Sequence, residues 1–237
     1  MDKKYNLEEM GKVFEFQLNT IYNLVRIKNW LLNSLKEEFK ELYVRGSDGD
    51  KFAIANGLYR IDLFPNFSHY AMRVTVVQLD KIDDESLINF ITSLFKIIND
   101  ATKDDTTKTG DFERFFFHSV ELGYSLKVND TIFEDAGMFM NPLRVEYPNM
   151  IQKEAHFETL LESDFLESID LNIIYKRSYD KDTDYICTKI ASIYKGYAPK
   201  KRFLVNEQIY LVGDVTKELL ARAATLKKEL NMKLNDE

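Results

Sequence analysis

Residues 112 to 128, FERFFFHSVELGYSLKV, constrain the fold of this chain more than any other stretch. Read at period two, Phe112, Phe116, Val120, Leu122, Tyr124, Leu126 and Val128 share one face, and Glu113, Phe115, Phe117, Ser119, Glu121, Gly123, Ser125 and Lys127 share the other. That alternation marks a β-strand with one face buried. A straight strand of this length would extend roughly 55 Å, too long for one lobe. Gly123 is therefore the expected bulge or bend. Two polar residues, Arg114 and His118, fall on the apolar face. Four positions apart on a strand, their Cβ atoms lie roughly 13 Å from each other, so they are not direct partners. They read either as an acid/base or anion-binding pair lining a cleft, or as a hydrogen-bonded core histidine and a strand-end arginine facing a carboxylate. The second reading is the simpler one.

The elements before this strand follow from periodicity and turn chemistry. Lys12 to Leu18 reads as a short strand. Ile21, Leu24, Val25, Leu31, Leu32, Leu35, Phe39 and Leu42 recur at helical spacing, which predicts a helix from Thr20 to Tyr43 capped by Asn19 or Thr20. Trp30 lies beside that stripe as a half-buried edge residue, with a partner anchor as the alternative. Asn56-Gly57 suits a two-residue hairpin turn. That turn would pair Ala55 with Leu58, Ile54 with Tyr59, Phe52 with Ile61 and Lys51 with Asp62, leaving Phe52, Ile54, Tyr59, Ile61 and Leu63 on one face. Tyr70 to Leu79 supplies a further strand. Asp83 and Asp84 open a helix rich in Leu, Ile and Phe, where its positive end favours carboxylates. The polar run 99–111 reads as a loop.

Beyond residue 128 the pattern predicts a strand at Leu143–Tyr147. A helix running from Asn149 to about Leu166 follows, with Asn149 and Gln152 as its capping pair. Ser168–Lys176 alternates as a strand. Tyr185–Tyr197 fits either helix or strand, and its β-branched content favours strand. Phe203–Val205 and Ile209–Val212 read as a short hairpin, and Asp214 as the cap of a last helix. The expected fold is α+β: two βαββα-like lobes, residues 1–122 and 123–237, with mainly antiparallel sheets, joined by the long strand at 112–128. The first lobe would close as a ferredoxin-like sandwich. The alternative is one continuous domain. Such folds host many activities, so the fold alone names none.

Several chemistries have no support in the sequence. Neither GxGxxG nor GxxxxGK[ST] occurs, nor GxSxG, HExxH or any zinc-finger spacing. The three histidines, at 69, 118 and 156, are not at metal-ligand spacing from one another. Asp180, Asp182 and Asp184 start like a calcium loop, but Tyr185 stands where the sharp turn needs Gly and Ala191 where a bidentate Glu belongs. No catalytic residue, metal site or cofactor is assigned. The single cysteine, Cys187, excludes an intrachain disulfide and fits a reducing cytoplasm, and no apolar run reaches the roughly 20 residues a membrane helix needs. Cys187 reads as a small core residue.

The positive signal is charge. The chain carries a net charge of −7, which disfavours wholesale coating of nucleic acid. Between Ile169 and Val205, however, eight Lys or Arg stand against four Asp, a net +4 that leaves −11 for the remainder. The cations Lys176, Arg177, Lys195, Lys200, Lys201 and Arg202 interleave with tyrosines that include Tyr179 and Tyr197. Tyrosine offers large contact area at low entropy cost, and aromatic faces beside cations also stack bases and hold phosphates. The expectation is a cytoplasmic, non-enzymatic binding protein engaging a protein partner through this basic, tyrosine-rich surface. Weak nucleic-acid binding through the same surface is the alternative, and an enzyme with an unfamiliar site near Arg114 and His118 the third reading. Few Pro and Gly beside abundant Lys, Asn, Ile and Asp suit an AT-rich coding sequence of a bacterial or phage accessory gene.

Overall fold

The computed structural model describes residues 6–18, 24–36, 39, 41–44, 52–66, 69–103, 117–128, 154–161, 166–177, 184–194 and 205–235. They form an α+β fold in the order β1 (Leu7–Leu18), α1 (Leu24–Ser34), β2 (Glu41–Val44), β3 (Phe52–Ala55), β4 (Tyr59–Asn66), β5 (His69–Val76), α2 (Asp84–Lys103), β6 (Phe117–Val128), β7 (Glu154–Leu161), β8 (Leu166–Arg177), β9 (Asp184–Tyr194) and α3 (Val205–Asn235). The strands make one sheet in the order β2-β3-β4-β5-β1-β6-β9-β8-β7, and every neighbouring pair is antiparallel. Each first strand thus pairs with the last strand of its own meander, β1 with β5 and β6 with β9. The two meanders meet at β1–β6.

This order replaces the ferredoxin-like closure expected for residues 1–122. A split βαβ unit leaves β1 and the strand after its helix close together in the sheet. Here β3, β4 and β5 intervene between β1 and β2, because the chain continues as hairpins after α1. Leu122 and Gly123 sit mid-strand in β6, which is flanked on both sides by partners.

One face of the sheet carries the core. Phe14, Phe16, Leu18, Ile54, Ile61, Leu63, Met72, Val74, Leu122, Tyr124 and Leu126 are all buried, as alternation from each strand requires. α2 covers them with Leu87, Ile91, Leu94, Phe95 and Ile98. Phe95 meets Phe16 edge-on with ring centroids 5.0 Å apart, and Phe90 stacks on Tyr59 at 3.9 Å. Burying an aliphatic or aromatic side chain of this kind contributes about 1.5–3 kcal/mol. α3 adds Val212, Val215, Leu219, Leu220, Ala223, Leu226 and Leu230 to the same core. At Gly213 α3 lies close against α2, where a Cβ would stand 3.4 Å from Thr92 Oγ1.

Asp83 starts α2 as expected, its carboxylate accepting the Ser86 backbone N–H at 2.7 Å. Other boundaries move. α1 begins, among the described residues, at Leu24, and the last turn of the predicted helix is instead strand β2, with Leu42 opposite Ile54. The stretch predicted to continue a helix to Leu166 holds β7, whose pairing with β8 supplies a ladder that helical propensity alone does not anticipate. The predicted hairpin at Phe203–Val212 and the cap at Asp214 both fall away, since Val205, Ile209, Val212, Val215 and Leu219 continue one helical stripe through α3. Tyr185–Tyr194 lies in a strand, the option its β-branched residues favoured.

The Asn56-Gly57 hairpin forms with a different register. Phe52 pairs with Leu63, Ile54 with Ile61 and Ala55 with Arg60, so the chain reverses over Gly57-Leu58. Asn56 drives the turn by its side chain: its Oδ1 accepts the backbone N–H groups of Leu58 at 2.8 Å and Tyr59 at 2.6 Å. A shift of two residues keeps the faces, so Ile54, Tyr59, Ile61 and Leu63 are buried together as predicted. Gly123 is not the bulge either. It pairs with Val13 and Lys189 inside regular ladders. The irregularities of the β1–β6 ladder lie at Met10 on β1, between Glu9 and Gly11, and at His118 on β6, opposite the Gln17–Leu18 step.

Candidate functional site

The bulge at Met10 brings together two residues that a regular strand would separate. On an unbroken strand, positions i and i+3 point to opposite faces. The extra residue puts Glu9 opposite Leu126 and Lys12 opposite Tyr124, both on the helix-covered face. Lys12 Nζ then lies 3.2 Å from Glu9 Oε2 and 2.9 Å from Asp84 Oδ1 in the first turn of α2. Lys227 Nζ of α3 reaches Glu9 Oε1 at 3.2 Å. The Tyr124 phenol, buried beneath, lies beside the Glu9 carboxylate. One strand, its neighbour and two helices therefore converge on a cluster of two cations, two carboxylates and a phenol.

The electrostatics of the cluster fix each charge state. Burial alone would raise the Glu9 pKa, but the Lys12 charge, the neighbouring Tyr124 hydroxyl and Lys227 outweigh it and hold the carboxyl below its ordinary value. Burial alone would lower the Lys12 pKa, but its hydrogen bond to Asp84 and the Glu9 charge outweigh it and hold the ammonium above its ordinary value. Tyr124 is pushed far above the usual phenol range, first by burial and then by the negative Glu9 beside it. General acids and bases are tuned towards the working pH. All three of these groups are moved away from neutrality, so the cluster is built to stay charged and bonded.

Beside it, Asp84, Glu85 and Ile88 of α2 face Lys217, Leu220, Ala221 and Ala224 of α3 across a half-open groove of about 480 Å³. The volume falls in the range of small-ligand sites, but most of the lining side chains are exposed. Asp84 belongs to both features: it walls the groove and binds Lys12.

The opposite face of the sheet is polar. Glu15 and Arg73 pair at 2.7 Å, Arg60 and Asp62 at 2.7 Å, and the Arg73 guanidinium lies 4.9 Å from the centre of the Phe64 ring. Further along this sheet, Lys127 is registered opposite Tyr185, and Tyr185 opposite Lys176, in one cross-strand row. Lys189 is registered opposite Gly123 and Asn172. Tyr175 is registered opposite Ile186, which is opposite buried Leu126, whereas Cys187 is opposite Ser125.

The residues singled out from sequence thus divide. Lys176 and Arg177 end β8, and His118 is the bulged residue of β6. Arg114, Tyr179, Lys195, Tyr197, Lys200, Lys201 and Arg202 lie outside the described residues, as do the strand expected at Leu143–Tyr147 and the acidic loop at Asp180–Asp182. Sequence reasoning missed Glu9, Lys12 and Lys227 altogether and took Asp84 only as a helix-start carboxylate. Trp30 is 38% exposed, between its two readings. Among the described residues, no helix is long and apolar enough to cross a membrane.

No family model and no curated protein matches the chain. Among solved structures, the di-domain ARO/CYC StfQ from the steffimycin biosynthetic pathway aligns over 99% of this chain and 98% of its own, at 8% identity and a TM-score of 0.24. A likeness that low carries no argument about what this chain does.

Proposed function

We propose that this chain is a non-enzymatic binding protein of the cytoplasm that engages a protein partner through a basic, tyrosine-bearing surface in its C-terminal part. On this reading residues 1–122 and 123–237 are two lobes that share one sheet. The observation that carries it is the cross-strand row Lys127–Tyr185–Lys176. Neighbouring strands lie about 4.8 Å apart, so a lysine position stands one strand away on each side of the tyrosine position. Glu8 is registered on the far side of Lys127 and Glu154 on the far side of Lys176, so the row alternates in charge about the tyrosine, which supplies contact area for a partner of matching pattern. Lys176 and Arg177 end β8 opposite the start of β9, and the proposed surface adds Tyr179, which follows them in sequence, and Lys195, Tyr197, Lys200, Lys201 and Arg202, which follow the other end of β9 in sequence. The charge states of the Glu9–Lys12–Tyr124 cluster, moved away from neutrality, support a role in binding rather than in proton transfer.

The test is affinity capture from the native host with a chain carrying Lys127→Glu and Lys176→Glu, and with another carrying Lys200→Glu, Lys201→Glu and Arg202→Glu. Both should lose the captured protein while keeping the wild-type unfolding curve. Capture unchanged in both would remove this surface from the interface. A shift with single-stranded RNA or DNA that falls steeply with salt would put nucleic acid in place of the protein partner.

A further inference from the structure

We infer that Lys12 is a latch that ties the first turn of α2 to the central strand and, through Glu9, steadies the hold of α3 on the same strand, so that it sets how the groove between the two helices stands open. The first turn of α2 carries no buried apolar side chain of its own. Asp83, Asp84, Glu85 and Ser86 are all exposed, and the apolar anchors stand on either side of them, at half-buried Ile82 and at Leu87, which is 1% exposed. The tie that reaches this turn from the sheet is the 2.9 Å contact between Lys12 and Asp84. α3 is anchored at the same place by Lys227 on Glu9, and Glu9 in turn is held by Lys12.

The latch is stronger than a surface pair. The Lys12 side chain is only 13% exposed, so its charge must be answered locally, and Glu9 and Asp84 answer it from two different elements. Removing Asp84 leaves Lys12 with Glu9 alone. Removing Lys12 leaves Glu9 with Lys227 and frees Asp84 into the groove that it lines. Because the groove walls are the first turn of α2 and the middle of α3, whatever loosens that turn also changes the width of the groove. Helix ends held by few apolar contacts open locally well below the global unfolding free energy, and here one ammonium governs that opening.

Hydrogen exchange on the full chain tests this with Lys12→Met, Asp84→Asn and the control Arg222→Ala, whose ion pair with Glu218 stays within α3. Asp84→Asn should raise exchange of amides 87–92 roughly threefold to tenfold, leaving the α3 amides 217–230 and the β3–β5 amides unchanged. Lys12→Met should raise exchange in both helix segments, and Arg222→Ala in neither. An even rise across helices and strands, or no rise at 87–92, would overturn the latch. Should Lys12→Met fail to fold, Asp84→Asn decides alone, since Asp84 is half exposed and its neutralisation strands no deeply buried carboxylate.

Discussion

Met10 on β1 and His118 on β6 are the two extra residues of the central ladder, each four positions before a member of the facing pair Phe14–Leu122. The spacing relates β1 to β6 about that pair, as β5 relates to β9 beyond them. A bulge adds one residue without changing which face its neighbours occupy further along. Deleting Met10 should therefore join Gly11 to Glu9 with Leu7, Glu9 and Lys12 still on the helix side. We expect cooperative unfolding to persist, within about 2 kcal/mol of wild type. Deleting Glu15, which sits in regular pairing, should instead turn either Phe14 or Phe16 and Leu18 away from the core and abolish the folded state. Urea unfolding followed by circular dichroism separates the two.

The hairpin at Asn56 gives an opposed pair of expectations. A turn with positive φ at both central residues would make Gly57 indispensable. Instead Gly57 does not adopt a left-handed backbone, and a Cβ there meets nothing within 4 Å. Gly57→Ala should be neutral, or stabilising by up to about 1 kcal/mol through the unfolded chain. Asn56→Ala removes the acceptor of two backbone N–H groups and should cost about 1–2 kcal/mol. Thermal melts of the two variants would reverse in order if the turn were the one its dipeptide suggests.

Phe95 is the bridge between α2 and the central strand, 0% exposed and edge-on to Phe16. Phe95→Ala should cost about 3–5 kcal/mol, a large share of a typical domain's stability. Phe95→Leu, which keeps most of the volume, should cost markedly less. Equal losses in chemical denaturation would mean that the layer is loosely packed at this point.

Much of this architecture can be read from residues, and the failures have physical causes. Alternation locates β6 and β8, and helical spacing locates α2 and the later part of α3, because in each case one face is apolar. Two errors had visible remedies. Ala155, Phe157, Thr159 and Leu161 alternate through β7, and Val205, Ile209 and Val212 are already spaced as a helix. The ionic cluster is different in kind. Glu9 and Lys12, three apart, belong on opposite faces of any regular strand, and only the Met10 bulge joins them. Asp84 and Lys227 arrive from 72 and 218 residues away, on Lys12 and Glu9 respectively. Nothing local in the chain announces such a meeting.

The cluster also sets how stability depends on pH. Glu9 is held below its ordinary value, so its contribution is complete above the unfolded carboxyl range and fades as pH falls through the lower folded value. Acid should therefore weaken the fold below about pH 4.3, the ordinary Glu value, and Glu9→Gln should flatten that part of the curve. Lys12 and Tyr124 are raised instead, so their contributions are complete below the unfolded values near 10 and are lost as pH rises beyond them. The unfolded chain then loses protons that the folded chain keeps, which favours unfolding. Between these limits none of the three groups titrates, and stability should not vary on their account from about pH 5 to 9. Native ultraviolet titration of tyrosinate, wild type against Tyr124→Phe, should show no difference up to pH 11, because the buried phenol stays protonated while exposed ones ionise. An ionisation near pH 10 that disappears in Tyr124→Phe would mean that the phenol is not sealed beneath Glu9.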